Sequence, residues 1–188
     1  LEAARIAKQH DKPVKVIWDR VDDIRNDAYR PANYHRMKAS WDEAGKILSW
    51  QHHALGCSIN LMTEGPDAKV IGDMTGGAMA DFWYDIPNVK TGFTHVDFNL
   101  LRGWLRAVEI NVNVFPIECF VDELAVILKK DPVQFRLDLL STMPKRVTEF
   151  PFQDPQRIAG VLKLATEKAG YGKPLAANHY IGVAAHHF

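Results

Sequence analysis

The chain has 188 residues, enough for one domain with its own core, and its 47% hydrophobic and 24% charged residues are ordinary for a folded globular protein. Lysine plus arginine and aspartate plus glutamate both total 23, so the net charge is zero, which argues against broad attraction to nucleic acid or an anionic membrane. No apolar run reaches the roughly 18 residues of a membrane helix, and two cysteines are too few for a disulfide framework or a four-thiolate cluster.

Taken in order, Leu1 to His10 reads as the end of an amphipathic helix, with Leu1, Ala4, Ile6 and Ala7 apolar. Pro13 to Asp19 alternates Val14, Val16 and Trp18 with more polar residues, a strand pattern. A polar connection follows, in which Asp22-Asp23 is read as capping a turn rather than holding a cation. His35 to Asp42 and Ile47 to Cys57 form the arms of a hairpin, with Glu43-Ala44-Gly45-Lys46 as the turn and Gly45 at its positive-φ position. The stretch from 58 to 87 is rich in breakers, Gly65-Pro66 and Gly76-Gly77, and reads as a surface loop. Residues 93–112 read as strand and loop.

Helical signals dominate the second half. Ile117, Phe120, Val121, Leu124 and Leu128 share one face. Asp131 caps a second helix, with Pro132 at its first position and Gln134 placed for a capping box. Asp154-Pro155 opens a third, which Gly170 or Gly172 ends. Residues 173–188 read as the start of a further sheet segment. The order predicts an α+β fold, a mixed β-sheet with packed helices, in a single truncated domain over 1–188. Both termini lack the polar, frayed character of natural ends, so the chain reads as a piece of a longer polypeptide.

Few residues carry chemistry on their own. His52-His53 and His186-His187 are adjacent pairs; on strands neighbours face opposite ways, so no protein-held metal site is expected. Cys57 and Cys119 are expected to be buried thiols, and Trp18, Trp41, Trp50 and Trp83 core or edge aromatics. Arg106 follows Gly103-Trp104-Leu105 in a loop; arginine suits an anionic, phosphate-bearing ligand, although a loop arginine is more often a solvated charge. Glu118, twelve residues later, is expected near a helix start, stabilised by the helix dipole.

Two separated segments resemble the large subunit of molybdenum hydroxylases, the xanthine and aldehyde oxidase superfamily, and most nearly the β subunit of isoquinoline 1-oxidoreductase. One is Trp18, Arg20, Asp22, Asp23, Arg25, Asp27, Tyr29, Arg30 and Pro31, similar to the pattern W-x-R-x-D-D-x-R-x-D-x-Y-R-P. The other is Leu105-Arg106-Ala107-Val108-Glu109, similar to F-R-G-F-G or W-R-S-V-G, with Glu118 twelve residues after Arg106; Glu109 stands where the pattern ends in glycine.

The resemblance implies part of a molybdenum cofactor-binding domain, with Leu105, Arg106 and Ala107 as cofactor contacts and Trp104 at the substrate pocket. It implies molybdopterin, of the cytosine dinucleotide type, bearing molybdenum, and a small partner subunit carrying [2Fe–2S] clusters. The substrate class is an aldehyde or small aromatic heterocycle, hydroxylated with water-derived oxygen. The family's catalytic base is a glutamate in a G-E motif further downstream, so no catalytic residue is assigned here, and the isolated chain is expected to be inactive. The alternative is a non-catalytic binding or assembly module, using the loop at 63–80 and the helix at 116–129 as a docking surface. Nothing chooses between cytoplasm and periplasm.

Overall fold

The computed structural model describes residues 1–68, 74–75, 77–141 and 154–187. Its helices are α1 (Glu2–His10), α2 (Arg20–Asn26), α3 (Asn60–Thr63), α4 (Val108–Ile127), α5 (Pro132–Ser141) and α6 (Pro155–Ala169), and its strands β1 (Asn33–Trp41), β2 (Ile47–Gly56) and β3 (Asn88–His95). The three strands form one mixed sheet in the order β1-β2-β3. β1 is antiparallel to β2, and β3 is parallel to β2. This is the expected α+β architecture with a mixed sheet.

The hairpin forms as its turn chemistry dictates. Gly45 takes φ 75°, which glycine adopts without steric cost, and Lys46 closes the turn by donating its amide to Asp42. Lys130 Nζ then donates to the Gly45 carbonyl at 2.9 Å, tying the hairpin to the α4–α5 corner. Because β3 runs parallel to β2, the chain must cross over between them. The described part of that crossover from residue 74 onward is not a surface loop, although residues 62–67 are largely exposed. Met74, Thr75, Ala78, Met79, Phe82, Trp83, Tyr84 and Ile86 are buried, and Trp50 packs on Phe82 with ring centres 4.9 Å apart. The breaker residues hid an aromatic run that fills the space between sheet and helices. Residues 69–73 and Gly76 lie outside the described chain.

Helix α4 begins at Val108, several residues before the sequence signal. Asn111, Val112, Asn113 and Val114 are weak helix formers and Pro116 removes a helical donor, so the local signal appears only after it. Asp131 caps α5, its Oδ1 accepting the Val133 and Gln134 amides at 3.0 and 2.9 Å. Gln134 does not close a capping box; its side chain donates to Asp138 instead. α6 opens on Asp154 and Pro155 and stops at Gly170, φ 68°. The core lies where Trp50, Ile117, Val121, Leu124, Phe135, Leu140, Ile158 and Leu162 meet.

Two further expectations change, at residues 13–19 and in the connection after them. Residues 13–19 are extended but pair with no strand among the described residues, and Ile17 is 74% exposed; alternation without a neighbouring strand does not make a sheet. The polar connection after them is α2, capped by Asp19, whose Oδ1 accepts the Val21 and Asp22 amides. The 173–188 stretch pairs with no strand over its described part, residues 173–187.

Candidate functional site

Two layers of polar chemistry are built on α4: an exposed loop at its head and a buried network in its middle. The loop is anchored by Arg102. Its side chain is buried, Nε donates to the Ser58 carbonyl at 2.6 Å, and one Nη donates to Asp97 Oδ1 at 3.0 Å. Its neighbours bond to Tyr29, which donates its amide to the Leu101 carbonyl and accepts from the Gly103 amide. Gly103 is required by close packing: a Cβ there would stand 2.7 Å from the Ala28 Cβ. This ties the Tyr29-Arg30 segment to the loop, so the two sequence segments singled out above meet in space.

Beyond that anchor the side chains turn to solvent. Trp104 and Leu105 are more than half exposed, and Arg106 is exposed. The backbone is nonetheless fixed: Arg30 Nη2 donates to the Arg106 carbonyl at 2.7 Å, and the Val108 amide donates to the Leu105 carbonyl at 2.8 Å. Ala107 takes a left-handed conformation, φ 64° and ψ 11°, which costs energy for a residue with a side chain. It turns the chain into the first turn of α4, whose amides lack helical acceptors and favour an anion.

Glu109 sits in that turn, half-buried. Its carboxylate is directed at Gly77, with Oε1 3.2 Å from where a Cβ of Gly77 would lie. That same Cβ would meet Ile110 at 2.4 Å, so Gly77 lets the crossover run against the head of α4. The side chain that departs from the family pattern is thus turned toward the crossover rather than free along the loop.

The deeper layer centres on Glu118. It is the eleventh residue of α4, not a first-turn residue, so the helix dipole does not explain it. Arg136 Nε donates to Glu118 Oε2 at 2.9 Å, and Nη2 donates to the Glu118 carbonyl at 3.0 Å. Nη1 donates to Asp122 at 2.7 Å and to the Pro132 carbonyl. Tyr84 Oη donates to Glu118 Oε1 at 2.8 Å, and the Ala185 amide to Oε2 at 2.7 Å. Burial pushes the Glu118 carboxyl up, against the pull of Arg136, the Ala185 amide and Tyr84. Burial also works against charge on Arg136, but Glu118, Tyr84 and the hydrogen bonds to Asp122 and Glu118 together outweigh it and hold the guanidinium protonated. The network opens to solvent only at Asp122 among its described members, and it staples α4, α5, the crossover and the tail together.

The histidines divide the same way. His52 faces the buried side and its Nε2 lies 2.8 Å from His35 Nδ1, while His53 faces outward and pairs with Thr94, as alternation requires. Burial, then the neighbouring His35 and His53, pull His52 down to about 3; burial also lowers His35. His186 and His187 instead lie on one side, rings stacked 5.0 Å apart, because the tail is not a strand. His186 packs on Trp83 at 4.6 Å, and burial lowers it to about 4. Cys57 is buried as expected, but Cys119 is exposed on α4. Among the described residues no group of three or more histidine, cysteine or carboxylate side chains could hold a metal, and no helix is long and apolar enough to cross a membrane.

Sequence reasoning picked out the loop and missed its supports. Arg102, Arg30 and Gly77 are the residues that hold it, and only Arg30, in the first family-like segment, carried a signal. Arg136 and Tyr84 carried none, because their partners lie 18 and 34 residues away from them.

A family model described as "Molybdopterin cofactor-binding domain" matches residues 1–139. The "Membrane-bound aldehyde dehydrogenase [pyrroloquinoline-quinone]" of Gluconacetobacter polyoxogenes is 32% identical over 86% of the chain and 22% of its own length. The "Isoquinoline 1-oxidoreductase subunit beta" of Brevundimonas diminuta is 30% identical over 77% of the chain and 19% of its own length. Among solved structures, quinoline 2-oxidoreductase from Pseudomonas putida 86 superposes with a TM-score of 0.65 at 17% identity, covering 90% of the chain and 22% of that protein, a likeness of fold. The chain thus spans about a fifth of the length of the curated relatives it matches.

Proposed function

The chain belongs to the molybdopterin cofactor-binding domain family, and from that membership we propose that it forms one wall of the cofactor site in a molybdenum-dependent oxidoreductase. The observation that carries the reading is the Trp104–Ala107 loop. Its backbone is locked by Arg30 and Arg102 while the Arg106 side chain is left exposed at the head of α4.

The residues fit an anionic, phosphate-bearing cofactor. Arg106 brings a permanent charge and five donors. The backbone of Leu105, Arg106 and Ala107 is set before any ligand arrives, so little ordering cost falls on binding. Gly77 and Gly103 keep the surrounding backbone close-packed, and Glu109 is turned toward Gly77. Trp104, exposed beside Arg106, gives an aromatic face at the substrate pocket for a flat heterocycle or an aldehyde.

The cofactor, of the molybdopterin cytosine dinucleotide type, supplies when bound the chemistry by which an aldehyde or N-heteroaromatic carbon gains an oxygen atom from water and gives up electrons. The chain's own part is to bind and orient that group. A small subunit with [2Fe–2S] clusters receives the electrons. The catalytic base is not assigned to any residue of this chain, which by itself holds the cofactor weakly and does not turn over.

Metal analysis of the full-length protein copurified with its neighbouring subunit tests this. Molybdenum and iron together are expected, and Arg106→Ala should lower molybdenum occupancy at least tenfold without altering the melting temperature. Pyrroloquinoline quinone without molybdenum would move the protein to the cofactor named for the Gluconacetobacter relative and would overturn the reading. A second reading, a non-catalytic assembly module, draws on the apolar side chains that α4 leaves in solvent: Phe115 is 73% and Val126 74% exposed. A well-folded complex with neither metal nor quinone would favour it.

A further inference from the structure

The sheet carries a separate chemistry on the side turned away from the core. β1, β2 and β3 contain no aspartate or glutamate at all, in a chain whose acidic and basic residues are equal in number. Register sorts their basic residues into two adjacent rows. Lys38, Gln51 and Lys90 form one row across the three strands, and Arg36, His53 and Gly92 form the next. Paired residues share a face, as do residues two apart, so all three cations and His53 stand on one face, opposite the buried Trp50, His52 and Ala54.

Neighbouring strands are about 4.8 Å apart, so Lys38 and Lys90 flank Gln51 with backbones about 10 Å apart, within range for both ammonium groups to reach one ligand. Among the described residues, Arg36, Lys38 and Lys90 have no ion-pair partner. Together with Gln51, His53 and Gly92 they line a concavity of about 320 Å³. Its floor depends on a missing side chain. A Cβ at Gly92 would stand 2.8 Å from His53 Nδ1, so glycine leaves that nitrogen open. His53 Nε2 is engaged by the Thr94 hydroxyl at 2.8 Å. When that hydroxyl donates, Nδ1 carries the ring proton and points a donor into the concavity.

We propose that this face binds a small phosphate-bearing anion, with Arg36, Lys38 and Lys90 around it and the His53 Nδ1 donor at its floor. Three cations gathered without a carboxylate repel one another and are relieved by a multiply charged oxyanion. The open floor at Gly92 fits a compact group entering the hollow rather than a flat acidic protein surface lying across it. The site shares no residue with the Trp104–Ala107 loop and does not depend on the cofactor reading.

The test is calorimetric titration of inorganic phosphate and of pyrophosphate into the full-length protein, with lysine acetylation as a footprint. Saturable binding of either anion is expected, weakened at least tenfold in the Lys38→Gln/Lys90→Gln double variant and in Gly92→Ala, and unchanged in Lys129→Gln. Lys38 and Lys90 should acetylate in the free protein and be protected by pyrophosphate. The double variant alters exposed side chains, so its folding is not at risk. Absence of binding, or equal affinity in the double variant, would overturn the proposal. So would Lys38 and Lys90 that resist acetylation without any anion, which would show the face covered by another part of the protein.

Discussion

The head of α4 and its middle are built from the same residue types and put to opposite uses. In the middle, Arg136 and Glu118 are buried, and each is bonded to several groups. At the head, Arg106 is exposed and only its carbonyl is held, by a second arginine behind it. A charge whose side chain is fully satisfied by the fold has little left to offer a ligand, and its removal is felt as lost stability. A charge whose backbone is fixed but whose side chain is not has little part in folding and is available for binding. Arginine in sequence reports neither; what lies around the guanidinium and the carbonyl does.

Substitutions along this axis break or sharpen the contrast. Arg136→Met has the largest expected effect, because it strands the Glu118 carboxyl in the interior; a loss of about 3–5 kcal/mol is expected in urea denaturation. A loss under about 1 kcal/mol would mean the network is not structural. The second effect is on pH. His52 titrates near 3 when folded and near its ordinary value of 6.5 when unfolded, so the unfolded chain binds more protons between those limits. Stability should be full above pH 6.5 and decline as pH falls toward 3, by on the order of 3 kcal/mol by pH 4. Denaturation of His52→Gln over the same range should give a flatter slope; an unchanged slope would remove His52 as the cause.

Arg102→Met should cost about 1.5–3 kcal/mol, since it leaves the Ser58 carbonyl without its charged donor, and it should also loosen the loop. Faster amide exchange confined to residues 101–108 would register that loosening. Arg30→Ala removes the bond to the Arg106 carbonyl, and about 0.5–1.5 kcal/mol with a smaller rise in the same exchange rates is expected. Arg106→Ala comes last, within about 0.5 kcal/mol of the parent. A larger loss would show the exposed arginine to be part of the scaffold and would erase the distinction between the two layers.

The parts of this fold legible in sequence are those fixed by neighbours in the chain. Gly45 marked its turn, Asp131-Pro132 and Asp154-Pro155 marked two helix starts, and Gly170 marked a stop, because each acts within a few residues of itself. Illegible were features decided by distant partners. The alternation at Val14, Val16 and Trp18 looks like a strand but finds no neighbour, while Phe82-Trp83-Tyr84 sits amid breakers and becomes core because Trp50 and the helices close over it. The candidate site was half legible: the loop came from family-like spacing, whereas the Arg30, Arg102 and Gly77 supports come from contacts across 76, 44 and more than 30 residues.

The bond from the Ala185 amide to Glu118 spans 67 residues, against 18 for the one from Arg136. During synthesis, α4 and α5 can therefore clasp around Glu118 well before the tail emerges, since the shorter loop closes at lower entropic cost. Until residue 185 arrives, Glu118 Oε2 lacks the Ala185 amide and is held by Arg136 alone. Closing this seam then waits for residue 185, and a ribosome paused before that codon would hold a body with its helices paired and the seam still open.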